Sequence, residues 1–99
     1  MKEIANHIGG LRKLCDIYNV DKMYLFGSAL RPEFSAHSDI DFLVKFKPIH
    51  VAHYFENYMN FKENLKNLLG REIDLLEEQT LKNPILIKSI NESKKMIYG

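Results

Sequence analysis

The chain has 99 residues, 45% of them hydrophobic and 27% charged, and this length accommodates one compact domain rather than two. Lys and Arg (14) nearly balance Asp and Glu (13), so the net charge of +1 argues against direct nucleic-acid binding through bulk positive charge. A single cysteine excludes a disulfide framework and a cysteine-based zinc cluster. No apolar run approaches the ~18 residues of a membrane span, and no signal-like segment opens the chain. We therefore expect a soluble, cytoplasmic domain over residues 1–99 that has no membrane association.

Helix and strand patterns alternate along the first half of the chain. A helical stripe is formed by residues spaced four and three apart, namely Ile4, Ile8, Leu11, Cys15 and Tyr18. Gly9 and Gly10 each weaken a helix by roughly 1 kcal/mol, which predicts that this helix is frayed in its first half or begins near residue 10. A strand is predicted over 20–26 and ends at Gly27-Ser28. A second strand, over 39–46, places Asp39 and Asp41 on one face and alternating apolar residues on the other.

The second half of the chain predicts two more helices and two more strands. A long amphipathic helix over 51–69 ends at Gly70, and its predicted core stripe contains Val51, Tyr54, Phe55, Tyr58, Phe61, Lys62, Leu65, Leu68 and Leu69. A third strand covers 72–76. Asn83-Pro84 is typical of a helix start, with a predicted buried face of Ile85, Leu86, Ile87 and Ile90, and residues 95–98 form a short edge strand. The fold class is α/β (α+β), a single domain with one small sheet covered by helices. The short connection between the first two strands predicts that they are antiparallel.

A glycine-serine pair followed by two aspartates carries the chemical signal. Asp39 and Asp41 lie two residues apart on a strand, so their carboxylates project from one face, with Cα atoms ~6.5–7 Å apart. Like charges held side by side favour a cation between them, and magnesium combines carboxylates with phosphate oxygens. Gly27-Ser28 follows a strand, where backbone N–H groups and the Ser28 hydroxyl suit a phosphate. A phosphate cradle beside a carboxylate pair is typical of metal-assisted phosphoryl or nucleotidyl transfer.

A third carboxylate, Asp74, lies in a strand that is otherwise apolar. An acid buried in such a strand is costly unless it is paired or bound to a metal. If the third strand neighbours the second, about 4.8 Å away, Asp74 can complete the cluster. Taken separately, an Asp-x-Asp is usually a solvated strand face and a Gly-Ser is usually a turn, and only their combination favours a site.

The ordered pattern Gly27-Ser28, ten residues, Asp39-Ile40-Asp41 and a later Asp74 resembles the polymerase-beta type nucleotidyltransferase superfamily. Over about residues 18–98 the chain is similar to the smallest branch, the minimal nucleotidyltransferases, which act as antitoxins beside helical HEPN-domain toxins. The resemblance implies a mixed sheet, two magnesium ions and a nucleoside triphosphate.

By position, this resemblance makes Asp39, Asp41 and Asp74 catalytic metal ligands. Gly27, Ser28, Arg31 and Ser38 are the expected nucleotide-binding residues. The family often has an arginine after the Gly-Ser and a glycine further on, and this chain departs from that pattern with Ala29 and Pro32.

The resemblance implies an enzyme that moves a nucleoside monophosphate, AMP from ATP, onto a hydroxyl of a HEPN-domain partner. The first alternative is a non-catalytic antitoxin that neutralises its partner by contact, and the second is a small-molecule nucleotidyltransferase. Retention of three clustered acids favours the enzyme, and a chain of 99 residues leaves no second domain to grip a small acceptor. Homo- and hetero-oligomers are both compatible with the sequence. His50 and His53 lack further ligands at metal-binding spacing and do not predict a zinc site.

Overall fold

The structure is a computed structural model, and it describes residues 2–27 and 39–99. The helices are α1 (Lys2–Asn6), α2 (Ile8–Ile17), α3 (Val51–Leu69) and α4 (Pro84–Ser93), and the strands are β1 (Val20–Phe26), β2 (Ile40–Phe46), β3 (Ile73–Glu77) and β4 (Lys95–Tyr98). One 3-10 turn, Glu78–Thr80, follows β3. The predicted element order is confirmed, and most boundaries agree to within one residue.

The four strands form one mixed sheet in the order β3-β2-β1-β4. β1 is antiparallel to both β2 and β4, whereas β2 and β3 are parallel because α3 carries the chain back across the sheet. The antiparallel pairing of the first two strands and the mixed sheet are therefore confirmed. β3 and β4 are the edge strands. β3 lies next to β2, as is needed for Asp74 to stand near the Asp-x-Asp pair.

Alternation along the strands gives the sheet two apolar faces. On one face the side chains of β1, β2 and β3 pack under α2 and α3, in a core that includes Met23, Phe42 and Phe61. The opposite face carries a smaller cluster, Tyr24, Phe26, Leu43 and Ile90, which α4 covers. Lys94, at the end of α4, places its Nζ 4.2 Å from the centre of the Tyr24 ring. Asp41 and Asp74 belong to this second, less covered face.

The expectation of a frayed first helix is wrong at the glycines. α2 begins at Ile8 and includes both Gly9 and Gly10. A Cβ at Gly10 would lie 3.0 Å from the Leu68 side chain of α3, so glycine lets the two helices approach closely. The break in the helix falls at His7 instead. Packing against α3 outweighs the helix propensity that glycine lacks.

Two predicted core stripes are wider than the surfaces that the fold covers. On α3, Phe61, Leu65 and Leu69 are buried, but Val51 and Phe55 are 84% and 73% exposed. On α4, Ile90 is buried, whereas Ile85 and Leu86 are exposed. Tyr54 and Tyr58 of the same half of α3 pack against the core, so Val51 and Phe55 are exposed because they lie on the outer side of the helix. The predictions of burial at Val51, Phe55, Ile85 and Leu86 are wrong.

Among the helices of residues 2–27 and 39–99, none combines the length and the apolar character needed to cross a bilayer.

Candidate active site

Gly27 lies directly against the Asp41 carboxylate at the end of β1. Phe26 pairs with Asp41 across the antiparallel strands, so the next residue passes beside the aspartate side chain. Gly27 has φ +70°, and a Cβ built on it would lie 3.1 Å from Asp41 Cγ and closer still to Oδ2. Any other residue would fill the space that the carboxylate occupies. The glycine therefore serves the aspartate as well as the turn.

Asp41 and Asp74 face each other across the parallel strands β2 and β3. The register pairs Ile40 with Ile73 and Asp41 with Asp74, so the two carboxylates leave the same face of the sheet. Neighbouring strands lie about 4.8 Å apart, which is close enough for two carboxylates to share a cation. The expectation that Asp74 lies beside the Asp-x-Asp strand is confirmed by this register.

The burial expected for Asp74 is wrong. Its flanking residues Ile73 and Leu75 point into the core under α3, whereas Asp74 points to the opposite face and is exposed. Asp41 is half-buried and Asp39, one residue before β2, is exposed. The acids therefore line an open surface that substrate can reach, rather than a buried charge cluster.

The chain's donor chemistry fits a magnesium ion, since carboxylate oxygens are the protein ligands that Mg²⁺ prefers. The missing Cβ of Gly27 makes room for the Asp41 carboxylate at the end of β1. Within residues 2–27 and 39–99, no three His, Cys, Asp or Glu side chains stand as a ready-assembled metal site. The strand register brings two acids, Asp41 and Asp74, opposite each other.

A sequence model of the family "Polymerase beta, Nucleotidyltransferase" matches residues 10–99. The chain belongs to this nucleotidyltransferase family. The expectation of an enzyme of the nucleotidyltransferase class is thereby confirmed, and so is the resemblance stated from the Gly-Ser and Asp-x-Asp residues.

Curated relatives of this nucleotidyltransferase come from Methanocaldococcus jannaschii. "Putative protein adenylyltransferase MJ1379" is 38% identical over 85 residues, covering 86% of this chain and 82% of the relative. "Putative protein adenylyltransferase MJ0128" is 35% identical over 102 residues, covering 99% of each chain.

Solved structures share the fold of this nucleotidyltransferase at low identity. A structure described as a "putative minimal nucleotidyltransferase" has a TM-score of 0.79 at 24% identity, covering 95% of this chain and 92% of its own. A complex described as a "toxin-antitoxin with AMP-PNP" has a TM-score of 0.70 at 21% identity, covering 93% and 73%. A tri-AMPylated HEPN toxin of Shewanella oneidensis in complex with an MNT antitoxin has a TM-score of 0.65 at 18% identity, covering 96% and 71%. These likenesses confirm the predicted fold class.

Three of the expected nucleotide-binding residues, Ser28, Arg31 and Ser38, lie outside the residues that the structure describes. Of that predicted set, Gly27 is described, and it stands beside Asp41. The departures from the family pattern, Ala29 and Pro32, fall in the same undescribed segment. The assignment of Ser28, Arg31 and Ser38 to nucleotide binding stays a prediction.

Tyr58 is a neighbour of the site that sequence reasoning placed in the core. Its hydroxyl donates a hydrogen bond to the Leu75 carbonyl oxygen, on the open edge of β3. Burial raises the pKa of Tyr58, and the negative charge of Asp74 raises it further. The sequence gives no signal for the hydrogen bond between Tyr58 and Leu75, because that contact depends on how α3 crosses β3.

Proposed function

We propose that this chain is a magnesium-dependent protein adenylyltransferase that transfers AMP from ATP to a hydroxyl group of a HEPN-domain partner. The observation that carries the proposal is the register of Asp41 opposite Asp74, with Gly27 packed beside Asp41. Two acids on one open sheet face, next to the glycine that precedes Ser28, suit a triphosphate accompanied by a cation. The names of the curated relatives support AMP as the transferred group.

In this proposal all three acids bind magnesium, and Asp74 is the one nearest the acceptor hydroxyl. Asp39 and Asp41 would hold two magnesium ions, and Asp74 would hold the one nearer the acceptor hydroxyl. When bound, magnesium supplies charge neutralisation at the triphosphate and lowers the pKa of an oxygen bound to it. The backbone at Gly27, together with Ser28, Arg31 and Ser38, would hold the phosphates in line with the acceptor.

The proposed reaction is one displacement at the α-phosphorus of ATP. The acceptor hydroxyl oxygen forms a bond to that phosphorus, and the bond from phosphorus to the oxygen bridging the α- and β-phosphates breaks. Pyrophosphate leaves with that electron pair. The hydroxyl proton passes to the Asp74 carboxylate, which is exposed to solvent and can release the proton again. No oxidant or reductant is needed.

The acceptor in this proposal is a tyrosine hydroxyl of a helical HEPN-domain toxin, and modification would neutralise the toxin in the cytoplasm. Two structures of similar fold support this partner class, one being an AMPylated HEPN toxin with its MNT antitoxin and the other a toxin-antitoxin with AMP-PNP. The open face around Asp41 and Asp74 also favours a protein acceptor, because a second protein can enclose the site and exclude water.

The test is transfer of label from ATP labelled at the α-phosphate to a purified HEPN-domain partner, with and without Mg²⁺. We expect a partner mass increase of one AMP that requires Mg²⁺ and the intact enzyme. The double variant Asp39→Asn/Asp41→Asn should lower the transfer rate by about a hundredfold or more. The reason is that the reaction depends on the metal charge that these two carboxylates would hold.

The matched control is Asp16→Asn, which removes an exposed aspartate on α2, on the other side of the sheet. This variant should transfer AMP at the wild-type rate. If the Asp39/Asp41 variant neutralises the partner as well as the wild type does, and no AMP is found on the partner in either case, the contact-only antitoxin replaces the enzyme.

A further inference from the structure

An exposed apolar ridge runs along the outer side of α3. Val51, Phe55 and Met59 are spaced four residues apart, so they lie on one side of the helix, and they are 84%, 73% and 44% exposed. The ridge extends about 12 Å along the helix axis. Exposed apolar side chains in a contiguous row, unlike single ones, indicate a surface that another protein covers.

The ridge borders a groove between α3 and the open edge of β3. The groove has a volume of about 340 Å³ and is lined by Tyr54, Phe55, Tyr58, Leu75, Leu76, Glu77 and Thr80. We call the ridge and this groove together the α3 surface. Phe55 belongs to both parts, which makes the surface continuous.

Glu77 is the charged residue of the α3 surface, and one of its two carboxylate oxygens accepts a hydrogen bond from a described residue. The side chain is only 5% exposed. Oε2 accepts a hydrogen bond from the Thr80 backbone N–H at 3.1 Å, which holds the carboxylate in place. Oε1 is buried and has no hydrogen-bond partner in the part of the chain that the structure describes. A buried acceptor that is left unsatisfied is costly unless a ligand pairs with it.

We propose that the acceptor protein docks on the α3 surface, with apolar side chains on the ridge and one lysine or arginine side chain paired with Glu77. This inference rests on the proposed function, since the occupant is the protein that receives AMP. Charge complementarity argues for the occupant, because a cation pairs well with a buried carboxylate. Within the described residues Oε1 accepts no hydrogen bond, and Lys45 acts on Glu77 only through its charge. The apolar length of the ridge argues for a protein surface, since a small cation would leave Val51 and Met59 exposed.

The position of the α3 surface suits a docking site that feeds the active site. Glu77 and Asp74 lie on the same strand, three residues or about 10 Å apart, and their side chains leave opposite faces of the sheet at its open edge. Tyr58 lines the groove and donates a hydrogen bond to the Leu75 carbonyl oxygen, next to Asp74 in the chain. A partner seated on α3 can therefore reach around the open edge of β3 to the acids, while its main contacts stay clear of the metal ligands.

The test measures the dissociation constant between this chain and the HEPN-domain partner by calorimetry. Phe55→Ser and Glu77→Gln should each raise that constant by about tenfold or more, because one removes the centre of the ridge and the other removes the charge. The matched control, Ile17→Ser, changes an exposed apolar residue of α2 and should leave the constant unchanged. Circular dichroism checks that each variant remains folded.

The outcomes separate this inference from the proposed function. If the partner binds and receives AMP but neither Phe55→Ser nor Glu77→Gln weakens binding, the inference is overturned and the function stands. If both variants weaken binding but no AMP is transferred by the wild type, the proposed function fails, and the α3 surface stands as the site where the HEPN-domain protein docks. Failure of the partner to bind the wild-type chain overturns the inference. So does a self-association of this chain that Phe55→Ser abolishes, since the surface then belongs to a second copy.

Discussion

At the scale of single residues, Gly27 meets two requirements at once. Its φ of +70° is unfavourable for a residue with a side chain, and the Asp41 carboxylate occupies the place of a Cβ. Gly70 has a similar φ of +64° but nothing within 4 Å of the Cβ position. Substitutions at Gly27 and Gly70 therefore share the cost of the backbone conformation, and only the substitution at Gly27 also disturbs Asp41.

We predict that Gly27→Ala reduces both stability and AMP transfer, whereas Gly70→Ala reduces stability alone. Each change should cost about 1 kcal/mol for the backbone conformation, and Gly27→Ala should cost more because Asp41 must move. Thermal unfolding and the transfer assay measure the two effects. Equal losses of activity in both variants would show that the contact with Asp41 does not matter.

Glu77 is the second residue whose environment predicts a measurable effect. Burial raises the pKa of its carboxyl, and the negative charge of Glu78 adds to the rise. The backbone N–H groups of the following turn and the positive charge of Lys45 oppose it. A carboxyl whose pKa is higher in the folded state favours folding when protonated. Its ionisation therefore destabilises the fold as pH rises through that pKa, and below the pKa of the unfolded chain the penalty is absent.

We predict that Glu77→Gln raises the melting temperature of the isolated chain by a few degrees near pH 7 and by much less near pH 4. The amide keeps an oxygen for the Thr80 N–H and removes the charge. Glu56→Gln, on the exposed side of α3, is the control and should show no such pH dependence. A gain that is the same at both pH values would contradict the assigned cause.

At the scale of elements, α4 begins with a cap that the sequence identifies. Asn83 Oδ1 accepts hydrogen bonds from the backbone N–H groups of Ile85 and Leu86, at 3.0 and 3.3 Å, and Pro84 occupies the first turn. The cap fixes where α4 starts, and Ile90 then reaches the apolar cluster beside Leu43. α4 therefore packs on the face of the sheet that also carries Asp41 and Asp74.

We predict that Asn83→Ala lowers the unfolding free energy by about 1 kcal/mol, which is roughly 4–8 °C in melting temperature for a domain of this size. Asn83→Asp keeps the acceptor oxygen and should retain most of the stability. Denaturation followed by circular dichroism measures both variants. Indistinguishable melting temperatures for the alanine variant and the wild type would show that this cap is not needed.

At the scale of the whole molecule, the two faces of the sheet carry different tasks. One face packs under α2 and α3 around Phe42 and Phe61 and supplies most of the buried apolar surface. The other face is covered by α4 only in part, and it leaves Asp41 and Asp74 accessible. Among the described elements, α2 and α3 therefore cover the core face, and α4 lies on the face that carries the acids.

Local interactions explain what the sequence by itself determined about this protein. The helix end at Gly70, the cap at Asn83 and the alternation along β2 depend on residues near each other in the chain. The same is true of the two-residue spacing of Asp39 and Asp41, although β2 itself begins at Ile40. The order of Gly27, Asp41 and Asp74 along the chain was likewise enough to identify the family.

Only the tertiary structure decided which of these local features meet. The register that sets Asp74 opposite Asp41 depends on the route of α3 across the sheet, and no local pattern encodes it. The exposure of Phe55 and the burial of Glu77 depend on how much of α3 the sheet covers. An amphipathic stripe records which residues are apolar, but long-range packing determines which of them lose contact with water.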